Sequence, residues 1–212
     1  MTETATGIIL RTRPLTETSL ILHWLTPDFG RLATVAKGAR RPKSPFAGRL
    51  DLFYVADFSF SRSRSSDLHS LREVKLHETH GAIRGDIAKL QQAAYATGFV
   101  EQATETETPL PEIYALTRSF LKSLCEQSPQ PQNIFAFELK LLRELGQEPD
   151  LDETHLTPGA KKIAAGLLEG DWNHTARLKL TGEQNRELRQ WLHGFLTFNL
   201  SKLPRGRNAA LD

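Results

Sequence analysis

The strongest constraint on the fold lies in the first eighty residues. Five short segments rich in Ile, Leu, Val, Phe and Tyr follow one another there with no helical period between them. They read TGIILRTRPL, SLILHWLT, RLATVAKG, LDLFYVADFSFS and SLREVKLHE. Turn-forming stretches separate them: PLTETS, TPDFG, the loop ARRPKSPFAGR and SRSRSSD. In the fourth segment Leu52, Tyr54, Ala56, Phe58 and Phe60 alternate with Phe53, Val55, Asp57 and Ser59, the two-residue period of a pleated strand.

Five such strands suggest a small closed barrel. The five-stranded OB barrel is the common solution, and it often binds single strands of nucleic acid. From about residue 83 the period becomes helical. Ile87, Leu90, Ala94 and Phe99 share one face of a first helix. Pro109 and Pro111 precede a second, with Ile113, Leu116, Phe120 and Leu124 turned inward. A third carries the stripe Ile134, Phe137, Leu141 and Leu145 and ends at Gly146 and Pro149. Thr157-Pro158 opens a fourth as N-cap and first-turn proline. Thr181 opens the last, with Gln184 placed to complete a capping box. QATETETPLP reads as a helix-to-helix connection, and the tail SKLPRGRNAALD as loose and basic, with Lys202, Arg205 and Arg207. The expected class is therefore α+β, with an OB-fold barrel over 1–80 and an all-α domain over 81–212.

Several kinds of chemistry are missing from the sequence. No apolar run approaches the ~20 residues of a membrane span, and MTETATG is unlike a signal peptide, so a cytoplasmic protein with no membrane partner is expected. One cysteine, Cys125, allows no internal disulfide and no cysteine-based zinc site; on its helix it reads as a core-packing or simply exposed residue, not a nucleophile. His77 and His80 in HETH have spacing i, i+3 at a strand end, not the i, i+4 of a zincin helix, and read as surface histidines. The acidic run EPDLDE lacks the ligand spacing of a calcium loop. Neither GxxxxGK[ST] nor GxGxxG occurs. No catalytic constellation emerges, and neither a cofactor nor a metal is expected.

Charge is what remains. Residues 1–80 carry twelve Lys and Arg against eight acids, whereas 81–212 carry fifteen against seventeen, and opposite balances point to different partners. From Arg31 to Arg49 there are six basic residues and no acid: Arg31, Lys37, Arg40, Arg41, Lys43 and Arg49. Pro42, Pro45, Gly38 and Gly48 make this a defined loop between the third and fourth strands. Arg11 and Arg13 could extend the charge across the barrel. Such a strip neutralises several phosphates together without reading sequence. Trp24 and Phe46 could stack on bases or belong to the core, and the sequence leaves both readings open.

GIILRTRPLTETSLILHWLTPDFGRLATVAKGARRPKSPFAGRLDLF closely resembles the N-terminus of the RecO family, bacterial recombination mediators of DNA repair. KGARRPKS is its most family-like stretch. FAFELKLLRELGQEPDL and LRQWLHGFLTFNLSKLPRGR resemble later parts of that family. The resemblance implies a non-enzymatic protein that binds single- and double-stranded DNA and anneals complementary strands. It also implies an interaction with RecR, binding of the C-terminal tail of single-stranded DNA-binding protein (SSB), and help in loading RecA onto SSB-coated strands at the nucleoid. It carries DNA contact onto Arg31, Lys37, Arg40, Arg41, Lys43 and Arg49. Many members carry a four-cysteine zinc module after Leu-Gly-x-x-Pro-x-Leu; here DETHLTPG stands in its place, as in members that lack the module.

A receptor for an acidic tail ending in an aromatic residue pairs an apolar pocket with cations. Arg118, Lys122, Lys140 and Arg143 lie on helices that also present Phe120, Leu121, Phe137 and Leu141. Two other readings of the chain stay open: an RNA-binding OB protein, and a protein-binding adaptor whose basic loop meets an acidic partner.

Overall fold

The structure, a computed structural model, describes residues 2–200 and 203–212, so Lys202 lies outside it. Five strands close a barrel in the order β1-β2-β3-β5-β4. They are β1 (Thr2–Pro14), β2 (Leu20–Thr26), β3 (Gly30–Ala36), β4 (Val55–Ser61) and β5 (Leu68–Glu78). All pairings are antiparallel except β3 with β5. This is an OB-type barrel followed by helices, as the strand and helix periods predict.

Alternation builds the barrel core. Leu22 and Trp24 of β2, Leu32 and Ala36 of β3, Ala56, Phe58 and Phe60 of β4, and Leu71 and Val74 of β5 point into one cluster. The fourth strand starts later than its apolar run. Leu52–Tyr54 form a turn in which Phe53 takes a positive φ of 66° and its N–H donates to the Ile9 carbonyl at 2.8 Å. His80, expected at the surface, is buried. Its Nδ1–H donates to the Phe53 carbonyl at 2.7 Å, so it fastens that turn. His77 is exposed and pairs with Asp57 at 2.7 Å.

The chain divides into two compact units, Met1–His80 with Thr104–Arg118, and Gly81–Ala103 with Ser119–Asp212. The connection 104–110 does more than join two helices: it straps the barrel. Thr106 bridges Arg31 in parallel, the Glu107 N–H donates to the Arg31 carbonyl at 3.1 Å, and the Leu110 N–H to the Pro27 carbonyl at 3.0 Å. Glu107 also accepts from Arg62 at 3.1 Å and from His69 at 3.0 Å. His69 Nδ1 accepts from the Ser63 N–H, which leaves the ring proton on Nε2 for Glu107. Arg62 reaches Glu3 at 2.8 Å as well, so β1, the β4–β5 turn and the strap share one network.

The helices are α1 (Gly81–Arg84), α2 (Ile87–Ala103), α3 (Pro111–Glu126), α4 (Pro131–Glu144), α5 (Pro158–Glu169), α6 (Trp172–Arg177), α7 (Gly182–Asn199) and α8 (Arg207–Leu211). The predicted caps are present: Thr157 accepts from the Ala160 N–H, and Thr181 and Gln184 form the full capping box. Helix α4 is more than a striped helix. Every residue from Gln132 to Leu139 is buried, the mark of a helix surrounded by others.

Two expectations need correction in this unit. The apolar face assigned to α2 holds only in part: Phe99 is buried and Leu90 half-buried, but Ile87 is 71% exposed and Ala94 is exposed. Beside Phe99 the buried residues are Gln92, Ala93, Tyr95, Ala96, Thr97 and Val100. The tail, read as loose, ends in α8, with Arg207, Ala210 and Leu211 buried. Gln92 Nε2 donates to the Ala210 carbonyl at 3.1 Å. No helix among the described residues is long and apolar enough to cross a membrane, and none of their His, Cys, Asp and Glu side chains form a group that could hold a metal ion.

Candidate nucleic-acid interface

The β3–β4 connection, residues 37–54, is a chain of turns. N–H to carbonyl bonds run Arg41 to Gly38, Ser44 to Arg41, Ala47 to Ser44 and Arg49 to Phe46, at 3.0–3.1 Å. Gly38 makes the first reversal with φ +68°, a conformation that side chains resist. Three anchors hold the loop. The Arg40 N–H donates to the Thr18 carbonyl at 3.0 Å and its guanidinium to the Thr16 carbonyl at 3.3 Å. Arg49 Nη1 donates to the Val74 carbonyl at 3.3 Å. Phe46, 7% exposed, enters the barrel core.

The Thr-Glu-Thr-Ser stretch now has a local role. Thr16 Oγ1 accepts from the N–H groups of Thr18 and Ser19, which fixes the β1–β2 turn on which Arg40 leans. Both aromatics that the sequence leaves open are buried in the barrel core. Trp24 is fully buried, donates through Nε1 to Thr34 Oγ1 at 2.8 Å, and stacks on Phe58 with centroids 4.1 Å apart.

Lys37, Arg40, Arg41, Lys43 and Arg49 are exposed on the loop, and Arg11 and Arg13 are exposed on β1. Arg31 differs. It is half-buried, its Nε donates to the Thr104 carbonyl at 3.1 Å, and Nη2 reaches the same oxygen. Its side chain holds the strap.

The four cations considered for an acidic tail do not form one set. Arg118 is paired with Glu78. Lys122 is exposed on α3. Lys140 and Arg143 meet at the carboxyl end of α5: Lys140 Nζ donates to the Leu168 and Gly170 carbonyls at 2.6 and 2.7 Å, and Arg143 to the Leu168 carbonyl at 3.3 Å and Glu169 at 3.2 Å. Cations favour a helix carboxyl terminus, so both complete α5. Burial, and then the neighbouring Arg143 charge, lower Lys140 below the ordinary lysine value. Two cations that the charge run does not include, Arg72 and Lys75 on β5, border the loop. They sit beyond the acid-free run, and only strand pairing brings them beside it.

Two family models match this chain: the one described as "Recombination protein O N terminal" over residues 1–80, and the one described as "Recombination protein O C terminal" over residues 84–158. The chain belongs to the RecO family. It is similar to the "DNA repair protein RecO" of Anaeromyxobacter sp. (strain K), with 31% identity over 147 residues, 69% of this chain and 58% of that protein. The Synechococcus elongatus protein of that name is 40% identical over 115 residues, 54% of this chain and 42% of the relative. The Listeria monocytogenes one is 31% identical over 151 residues, 71% and 58%. The chain thus spans under two thirds of the length of these RecO relatives.

Proposed function

We propose that this RecO-family chain is a recombination mediator in DNA repair. It binds single- and double-stranded DNA through the β3–β4 loop, anneals complementary strands, and helps load RecA onto SSB-coated single strands together with RecR. The observation that carries this reading is the anchored loop: Lys37, Arg40, Arg41, Lys43 and Arg49 are exposed on a segment pinned at three places to a closed barrel. Cations held in place meet a phosphate backbone with little loss of side-chain and loop freedom. Neutralising two strands at once lowers their mutual repulsion, so complementary bases can find one another.

If these five cations each neutralise one phosphate, the log–log salt slope on single strands is about −3.5. Fluorescence anisotropy over a salt series measures it, and a slope near zero refutes the loop as the contact surface. Replacing Arg41 and Lys43 by alanine, with Arg40→Ala added in a second variant, removes most annealing while the barrel keeps its melting temperature.

A further inference from the structure

Strand β3 pairs with β5 only where Ala33–Val35 meet Leu68–Ser70. Beyond Ser70, β5 continues to Glu78 with β4 on one side, while residues 45–49 of the loop lie along the other. A groove of about 430 Å³ runs from the loop across β5 to β4 and β1, bordered by Pro45, Arg49, Asp57, Arg72, Glu73 and Lys75 and floored by Phe46. That volume falls in the range of small-ligand sites.

The β4–β5 register skips at Arg72, since Phe60 faces Leu71 while Ser59 faces Glu73. Such a bulge re-aims a side chain. Here Arg72 and Glu73 are both exposed, and Arg72 Nε is held by Ser61 Oγ at 2.9 Å. The acids of the groove are unequal. Asp57 accepts from Thr6 at 2.7 Å and pairs with His77, whereas the Glu73 carboxylate accepts no bond from the described residues. On the face that OB barrels ordinarily offer to oligonucleotides, the outer side of β2 and β3, Ile21, Leu25 and Val35 are buried and His23 and Ala33 half-buried.

We propose that this groove takes one unstacked nucleotide of a single strand, leaving the basic loop as the surface shared by single strands and duplex. The phosphate lies among Arg49, Arg72 and Lys75, the base lies against the exposed Pro45 ring, and Glu73 accepts from a base amino group. A base already paired in a duplex cannot turn into the groove without breaking its pair, so occupancy selects single strands. The inference rests on the nucleic-acid reading above, and the experiment separates the two.

The test compares the full chain with Arg72→Gln/Lys75→Gln and with Arg41→Ala/Lys43→Ala, all checked for an unchanged melting temperature. Anisotropy measures the affinity of a labelled single strand and of a duplex of equal length, and 2-aminopurine in the single strand reports unstacking. The groove variant is expected to bind the single strand about tenfold more weakly, the scale of one lost base contact, with its duplex affinity unchanged and the 2-aminopurine rise abolished. Its single-strand salt slope falls by about 0.7, for the one phosphate. Equal losses on both substrates, or no loss on either, overturn the groove. Should the loop variant also bind both as well as the parent chain, the nucleic-acid reading falls with it. A charge-keeping Arg72→Lys/Lys75→Arg variant is expected to retain binding, and its failure to do so also counts against the electrostatic contact.

Discussion

Arg207 forks onto Glu138: Nε reaches Oε1 at 2.6 Å and Nη2 reaches Oε2 at 2.8 Å, with both side chains buried. The Tyr95 hydroxyl donates to the same Oε1 at 2.5 Å, and Arg207 Nη1 donates to the Arg189 carbonyl at 3.2 Å. The cluster joins α2, α4, α7 and α8. Removing one member of a buried pair leaves the other charge uncompensated, so Arg207→Ala is expected to cost about 3–5 kcal/mol, whereas Glu138→Leu with Arg207→Met costs much less. Chemical denaturation of the two variants and of each single change measures the difference.

Burial pushes the Tyr95 phenol well above its ordinary value, and the Glu138 charge beside it adds to the shift. A raised folded value means stability that is complete below the unfolded tyrosine value of about 10 and is lost as pH rises beyond it. Melting temperature is therefore expected to fall above about pH 10, and Tyr95→Phe to flatten that fall. Equal slopes for the two proteins between pH 9 and 11 would remove Tyr95 from the account.

The acid side has the opposite sign. The Thr6 hydroxyl, and then His77, hold the Asp57 carboxyl below its ordinary value. Its contribution is present above the unfolded value of about 3.9 and disappears as pH falls through the folded one. The side chain is 48% exposed, so solvent screens most of it. Asp57→Asn is expected to lower the melting temperature slightly at pH 7 and not at all at pH 2.5, as scanning calorimetry reads.

Most of the barrel was legible because each strand alternates inward and outward residues over a short span, as Ala56, Phe58 and Phe60 do. What escaped depends on partners distant in sequence. Nothing around Arg207 tells of Glu138, and nothing around Arg31 tells of Thr104. The buried face of α2 departs from its apolar stripe because it includes the polar Gln92 and Thr97, each satisfied by a carbonyl. The loop's charge was visible in its composition; its rigidity was not, because the anchors come from Thr16, Thr18 and Val74 on other elements.

Gly30 is where the strap passes closest. Its φ is +61°, and a methyl group there would overlap the Thr108 carbonyl. Gly30→Ala is expected to cost about 1–3 kcal/mol in backbone strain and to displace the strap, with faster proteolysis within 104–110. Arg31→Ala is expected to speed the same cleavage while lowering DNA affinity less than a change at Arg41. A larger affinity loss at Arg31 than at Arg41 would return Arg31 to the contact surface.

Phe46 separates anchoring from base stacking. Its ring lies in the core with Trp24 and Phe58, so Phe46→Ala opens a void and frees the middle of the loop. Large-to-small core changes of this kind cost about 3–5 kcal/mol, and a ring at the edge of the core sits at the lower end. Phe46→Leu keeps the anchor and removes the aromatic face. An anchor predicts that Phe46→Leu binds single strands as the parent does, while Phe46→Ala is destabilised and cleaved sooner between Lys37 and Leu50. A stacking residue predicts the reverse for leucine, a loss of about 1–3 kcal/mol in binding. Anisotropy titrations of both variants, set beside their denaturation curves, decide between them.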